Sequence, residues 1–454
     1  MANKKFSEFD LKTDSANVDF VVGYDGTDNV RIAPSNLSSG GASSLNGLTD
    51  CLVDTDSLYV GEVPSGLSGN PQANTILGID AGASLTSGAN NTLIGNDAGK
   101  NFTGGTAVFV GPLAGEATGT ANATGNIAIG WSALRTINTG NDNVAIGFQS
   151  GRSIGNGCAN NTMLGPLAGY SNTASETVLI GRQAGTSNSA AGLVSVGYQA
   201  GYSNTSATRN TNLGYEAGYS TTTSGSNTNI GYQSGKYVTG IQNTFIGDES
   251  GAGVSGSSTA FGNIGIGFQA LKTITTGGGN VCIGTTMGSP TAGGQNTLLG
   301  VQTSVGNTFE SNITSIGYQA AGNGNSNVIT LGNSSVTALR CAVTAITSLS
   351  DERDKTDIKD LEYGLNFINA LQPREFVWDN REETDIDGNK YYSNNKGKKD
   401  FGFIAQEVKE IDNDTLKLVN NSNLEKLELS YGKLVPILVK AIQELKAEIE
   451  LLKS

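Results

Sequence analysis

One nine-residue phrase, Asn-Thr-x-Ile-Gly-x-x-Ala-Gly, returns along more than half of the chain and limits what it can fold into. It reads Asn91-Thr92-Leu93-Ile94-Gly95-Asn96-Asp97-Ala98-Gly99 early in the series and Asn227-Thr228-Asn229-Ile230-Gly231-Tyr232-Gln233-Ser234-Gly235 later. The glycine after the apolar residue stands at 78, 95, 111, 130, 147, 165, 181, 197, 214, 231, 247, 267, 284, 300, 317 and 332. A period of roughly 16–17 residues marks a solenoid or stacked array, whose repeats are stable only against their neighbours. Thr-x-Ile suits a short strand, and its alternation is expected to point Ile, Leu or Val inward at every level. Glycine then supplies a sharp turn or a close approach, and Ala-Gly or Ser-Gly a second corner. At about 4.8 Å per rung, the copies stack into a rod of roughly 75 Å. An apolar content of about three residues per rung is thin for a single-chain solenoid and favours three chains around one axis.

Composition alone leaves disorder open, because 63 of 454 residues are glycine and only 15% are charged. The apolar register argues against it. A net charge of −13 argues against a nucleic-acid partner. No segment is long and apolar enough to span a membrane, and Met1-Ala2-Asn3-Lys4-Lys5-Phe6 lacks the apolar core of a signal peptide. Assembly in a cytoplasm is therefore expected. The chain has no His, and Cys51, Cys158, Cys282 and Cys341 are scattered without a CxxC pair. No metal or cofactor site is expected, and His-dependent nucleophilic schemes are excluded. Any activated serine must use another base, of which lysine is the obvious one.

Several repeats carry an aromatic just after the turning glycine: Trp131, Phe148, Tyr198, Tyr215, Tyr232, Phe268 and Tyr318. Tyr170, Tyr202 and Tyr219 follow the second corner. Packing rung on rung, or between chains, is the expected role. The alternative is a ladder, with Tyr198, Tyr215 and Tyr232, that stacks on sugar rings.

The ends differ from the array. Residues 1–45 read as a small β-hairpin unit, with a turn at Tyr24-Asp25-Gly26-Thr27, that either caps the array or serves as an attachment unit. Residues 46–71 read as a linker with short strands, and 72–345 as the glycine-rich array. From 346 the composition breaks: residues 350–454 hold 38 of the 69 charged residues and 5 of the 63 glycines. Residues 346–454 are thus expected to be a separate domain of mixed α and β structure. Its last apolar residues, Val435, Leu438, Ile442, Leu445, Ile449 and Leu452, keep a heptad spacing, which predicts a short coiled coil. A trimer matches the array.

At the seam lies Leu349-Ser350-Asp351-Glu352-Arg353-Asp354-Lys355, followed by Gly364-Leu365, Pro373, Phe376 and Trp378. Further on come Gly402-Phe403-Ile404-Ala405-Gln406-Glu407-Val408 and Tyr431-Gly432-Lys433-Leu434-Val435-Pro436. In this order the pieces, about a quarter of the chain, resemble the endosialidase-type intramolecular chaperone domain, also classed as an S74 self-cleaving peptidase. The array resembles repeats in fibres of tailed bacteriophages. The resemblance implies a homotrimeric virion fibre or spike, folded with the help of its tail and concerned with attachment to a host surface glycan or protein. It implies that Ser350 is the nucleophile, Lys355 its base and Leu349–Ser350 the bond cut, with Asp351 and Arg353 in supporting roles. A trimeric bacterial or prophage-derived surface adhesin with the same tail is the alternative. A glycan-degrading tailspike is a weaker one, since the array offers isolated acids rather than the paired carboxylates such hydrolysis needs.

Overall fold

The computed structural model describes residues 21–24, 29–32, 51–54, 57–61, 66–67, 72–117, 122–288, 291–322, 324–336, 338–340, 350–379, 381–384, 390–392, 396–421, 424 and 427–453. It divides into two units, Met1–Gln242 and Asn243–Ser454. Both contain a parallel β-solenoid.

The first unit begins with a hairpin of β1 (Val21–Tyr24) and β2 (Asn29–Ile32), paired antiparallel with Val21 opposite Ile32. A second hairpin joins β3 (Cys51–Asp54) to β4 (Ser57–Val60). From β4 onward the pairing turns parallel, so Ser57–Val60 is the first rung. The rungs that follow are β5 (Thr75–Leu77), β6 (Thr92–Ile94), β7 (Val108–Val110), β8 (Ile127–Ile129) and β9 (Val144–Ile146). Next come β10 (Thr162–Leu164), β11 (Val178–Ile180), β12 (Val194–Val196), β13 (Thr211–Leu213) and β14 (Thr228–Ile230). Each pairs in register with the next, as Leu93 does with Phe109.

The strand alternation is real, but its phase is opposite to the sequence expectation. The middle residue points inward: Ile76, Leu93, Phe109, Met163 and Leu179 are buried. The apolar residue before the glycine points outward, so that Leu77 is 46% exposed, Ile146 39% and Leu213 44%. Thr-x-Ile places Thr and Ile on one face and x on the other. The inward column also contains Ala128, Ala145, Ser195, Asn212 and Asn229, so it shows no consensus.

Nor does strand pairing need three chains around one axis, because each strand finds its neighbours in the same chain. Little apolar volume suffices because buried asparagines carry part of the interior. Asn74 Oδ1 accepts the Asn91 backbone N–H, and Asn91 Oδ1 accepts that of Ala107. The same bond links Asn126 to Asn143 and Asn143 to Asn161. These bonds satisfy backbone donors that burial would otherwise leave costly.

The second unit repeats the scheme through β15 (Thr244–Ile246), β16 (Ile264–Ile266), β17 (Val281–Ile283), β18 (Thr297–Leu299), β19 (Thr314–Ile316) and β20 (Ile329–Leu331). Phe245, Cys282 and Leu298 fill its interior. Asn243, Asn263, Asn280 and Asn296 form its ladder.

Beyond the rungs the unit becomes α+β. It holds helix α1 (Leu365–Ala370), β21 (Arg374–Val377), β22 (Glu383–Thr384), β23 (Lys390–Tyr391), β24 (Lys399–Gly402) and helix α2 (Ala405–Asp412). Then come β25 (Val419–Asn420), β26 (Glu428–Leu429) and the long helix α3 (Leu434–Lys453). β21 pairs antiparallel with β24. Phe367, Leu371, Val408, Leu418, Leu434 and Ile437 form a small core of their own.

Candidate functional site

Ser350 and Lys355 meet through a short fold in the chain. Asp351 extends its backbone, caps the 3-10 turn Glu352–Asp354 and accepts the Arg353 backbone N–H at 2.9 Å. The turn reverses the chain and returns Lys355 to the start. Its Nζ stands 2.7 Å from Ser350 Oγ and 2.9 Å from the Ser350 carbonyl oxygen. The Arg353 guanidinium grips the Asp351 carboxylate through Nε at 3.0 Å and Nη2 at 2.6 Å. That grip holds the Asp351 carboxyl below the usual carboxylate range. All four side chains lie at an exposed surface in the single chain. A serine hydroxyl beside a lysine amine is the pairing that general-base activation requires, once the amine has shed its proton. Leu349, on the other side of the expected scissile bond, lies outside the described residues, as does Cys341.

The downstream sequence blocks converge around one support. Tyr431 Oη accepts the Phe403 backbone N–H at 3.2 Å. A Cβ at Gly402 would stand 2.6 Å from that oxygen, so the glycine makes room for the tyrosine. Arg374 on β21 holds Glu407 on α2 by two bonds of 3.1 and 3.0 Å. Asp412, which the sequence reading did not single out, is buried and accepts the backbone N–H groups of Leu416 and Leu418 at 2.7 and 2.8 Å. Asn413 and Asp414, both left-handed at the end of α2, are the local signs of that turn in the sequence.

Helix α3 has two apolar faces. Leu434, Ile437 and Ala441 are buried against the small core. The heptad residues lie on the other face and are uncovered: Val435, Leu438, Ile442, Leu445, Ile449 and Leu452 are all exposed, Ile442 by 65%.

The aromatics stack rung on rung in the first unit. Tyr198 lies on Tyr215 at 4.9 Å between ring centroids, Tyr215 on Tyr232 at 5.3 Å, and Trp131 on Phe148 at 5.1 Å. Tyr202 and Tyr219 form a second stack. Tyr215 thus has a ring on both faces and the other stacked aromatics a ring on one, while Tyr215 and Tyr232 remain partly exposed.

Residues 350–417 match the model of the peptidase S74 family described as chaperone of endosialidase. The match begins at Ser350, downstream of the last rung at Ile329–Leu331. It implies self-cleaving peptidase activity in general for this part of the chain. No curated protein and no solved structure matches the chain.

Proposed function

We propose that this protein is a homotrimeric fibre or spike component of a phage virion, matured by cutting its own chain once at Leu349–Ser350. The contact of 2.7 Å between Ser350 Oγ and Lys355 Nζ, at the first residues of the family match, carries the proposal. Ser350 Oγ attacks the Leu349 carbonyl carbon and passes its proton to Lys355. The peptide C–N bond breaks, the Ser350 amine takes up that proton, and Leu349 is left as an ester on Ser350 Oγ. Water then hydrolyses the ester, giving a Leu349 carboxylate and a free Ser350 hydroxyl. Lysine is a base only when burial or a like charge lowers its pKa toward neutrality. Closure of a trimer around the exposed turn supplies that burial, so cutting follows correct assembly.

Two uncovered surfaces support the trimer. One is the heptad seam of α3. The other is the outward column of Leu77, Ile146 and Leu213 on the solenoid sheet. A trimeric tail raises the local concentration of three slow-folding arrays, and its removal leaves a product held by its unfolding barrier. Attachment to a host surface through the array, and to other virion proteins through residues 1–45, completes the proposal.

The test is a denaturing gel with intact-mass analysis of the purified chain and of Ser350→Ala. A new N-terminus at Ser350, absent from the variant, is expected. A wild-type chain that stays at its full 46.7 kDa after assembly overturns the proposal.

A further inference from the structure

The turn that joins Ser350 to Lys355 is held by surface contacts alone. The 3-10 turn Glu352–Asp354 has no buried residue, and so short a turn is marginal by itself. Its backbone closes through the Asp354 N–H on the Asp351 carbonyl at 3.3 Å and the Lys355 N–H on the Glu352 carbonyl at 3.0 Å. The side-chain contacts within it come from Asp351. Asp351 Oδ1 accepts the Arg353 backbone N–H at 2.9 Å, which caps the turn. The same Oδ1 takes Arg353 Nε, and Oδ2 takes Nη2. Both carboxylate oxygens are thus engaged, although Asp351 adjoins Ser350 in the chain. Lys355 Nζ is left to Ser350, whose Oγ and carbonyl oxygen it contacts.

From this we infer that Asp351 is a positioning residue: as cap of the turn it sets the Ser350–Lys355 contact, and Arg353 acts only through Asp351. The inference rests on the reading of Ser350 and Lys355 as nucleophile and base. Among the described residues, Lys355 alone bonds to Ser350 Oγ, while Asp351 and Arg353 bond to each other. Neither of these two therefore moves a proton in the step. The cap needs only an oxygen acceptor, so asparagine serves as well as aspartate. Leucine has a similar volume and no acceptor. A free carboxylate beside Ser350 would compete with the serine for the lysine ammonium, and the guanidinium fork removes that competition. An exposed ion pair contributes little stability of its own, so the clamp matters for where Lys355 points rather than for the fold.

Cutting rates on the assembled full-length chain test it, with sedimentation as the control for assembly. Asp351→Asn should cut within about threefold of wild type, and Asp351→Leu about tenfold more slowly or worse. Arg353→Gln should slow cutting by about threefold in the wild-type background and leave it unchanged beside Asp351→Asn. Amide exchange at Arg353, read on full-length Ser350→Ala protein, tests the cap without any cutting. Adding Asp351→Leu should accelerate that exchange by about fivefold, and adding Asp351→Asn should not. Equal cutting by the Asn and Leu variants overturns the inference, and so does equal exchange in the two. An Arg353→Gln effect of the same size in both backgrounds also overturns it, because Arg353 would then act on the reacting atoms directly. A chain that never cuts but keeps the exchange pattern removes Ser350 as nucleophile and leaves Asp351 as the residue that sets the turn.

Discussion

Glu444 of α3 accepts the backbone N–H of Leu365, the first residue of α1, at 2.7 Å across 79 residues of sequence. A carboxylate at a helix N-terminus satisfies a donor that the helix cannot and complements its dipole. Gly364 leaves room for it, since a Cβ there would stand 2.2 Å from Glu444 Oε2. Replacing Glu444 by Ala removes the cap at a cost of about 1 kcal/mol. Hydrogen exchange of the α1 amides should then accelerate by about fivefold, while Glu444→Gln, which keeps an acceptor, changes it less. Unchanged exchange in Glu444→Ala would show that the contact does not stabilise α1.

The asparagine ladder makes a second prediction. Asn143 Nδ2 donates to the Cys158 carbonyl at 2.9 Å, and its Oδ1 accepts the Asn161 backbone N–H at 3.2 Å. Asn143→Ala leaves both backbone groups buried and unpaired, at a cost of about 2–4 kcal/mol. Asn156→Ala, at an exposed position, is expected to cost under about 0.5 kcal/mol. Exchange rates of amides on the neighbouring rungs separate the two. Equal protection in both variants would remove the ladder from the account of stability.

Two glycines with positive φ are expected to differ sharply. Gly147 has φ +135°, and a Cβ there would lie 2.7 Å from the carbonyl carbon of Gly165 on the next rung. Gly157 has φ +75° and would meet nothing within 4 Å. Gly157→Ala thus costs about 1 kcal/mol from backbone strain alone. Gly147→Ala must also spread two rungs, so it should lower soluble yield and loosen amide protection on both. Similar behaviour of the two variants would mean that close rung approach is not what the repeating glycine serves.

This glycine is also where the sequence was most legible. All sixteen repeat glycines directly follow one of the strands β5 to β20. A turn that tolerates no Cβ leaves an invariant mark. The inward middle position of the strand left none, because it accepts Leu, Phe, Met, Ala, Ser or Asn. The outward Ile is regular and was therefore read as core. The rung at Ser57–Val60 was missed because it lacks the full phrase, although Gly61 follows it with φ +113°. The pairing of Ser350 with Lys355 came from the resemblance carried by the downstream blocks, because a serine five residues before a lysine says little by itself; the 3-10 turn that brings the two side chains to 2.7 Å has no sequence label of its own. Glu444 and Asp412 were not legible, because their targets are backbone N–H groups, which carry no sequence label.

Cys282 fills the inward position of β17 and is buried. Burial pushes its thiol up to about 12. A free thiol near 8.5 ionises in the unfolded chain while Cys282 stays protonated in the fold. Over that window the native state binds the extra proton, so raising the pH lowers stability; below the unfolded pKa this contribution is fully present. At pH 8 the folded protein should leave Cys282 unmodified by iodoacetamide, with full modification in denaturant, as read by peptide mass mapping. Equal labelling in the two states would contradict a closed interior at β17.

Ile437 and Ile442 lie on the same helix and separate the single chain from the proposed trimer. Ile437 is 2% exposed and packs with Phe367 and Val408, so Ile437→Ala should cost about 2–5 kcal/mol whatever the assembly state. Ile442 is 65% exposed, and in a lone chain its replacement by Lys should be nearly neutral. In a trimer the same lysine puts three like charges into one seam layer. Sedimentation should then show Ile442→Lys dissociated where the wild type is trimeric. Intact mass should show it uncut, because the turn at Ser350 would lose the closure that buries Lys355. A trimeric, fully cut Ile442→Lys protein would remove the seam from the assembly and leave the outward solenoid column as its remaining basis.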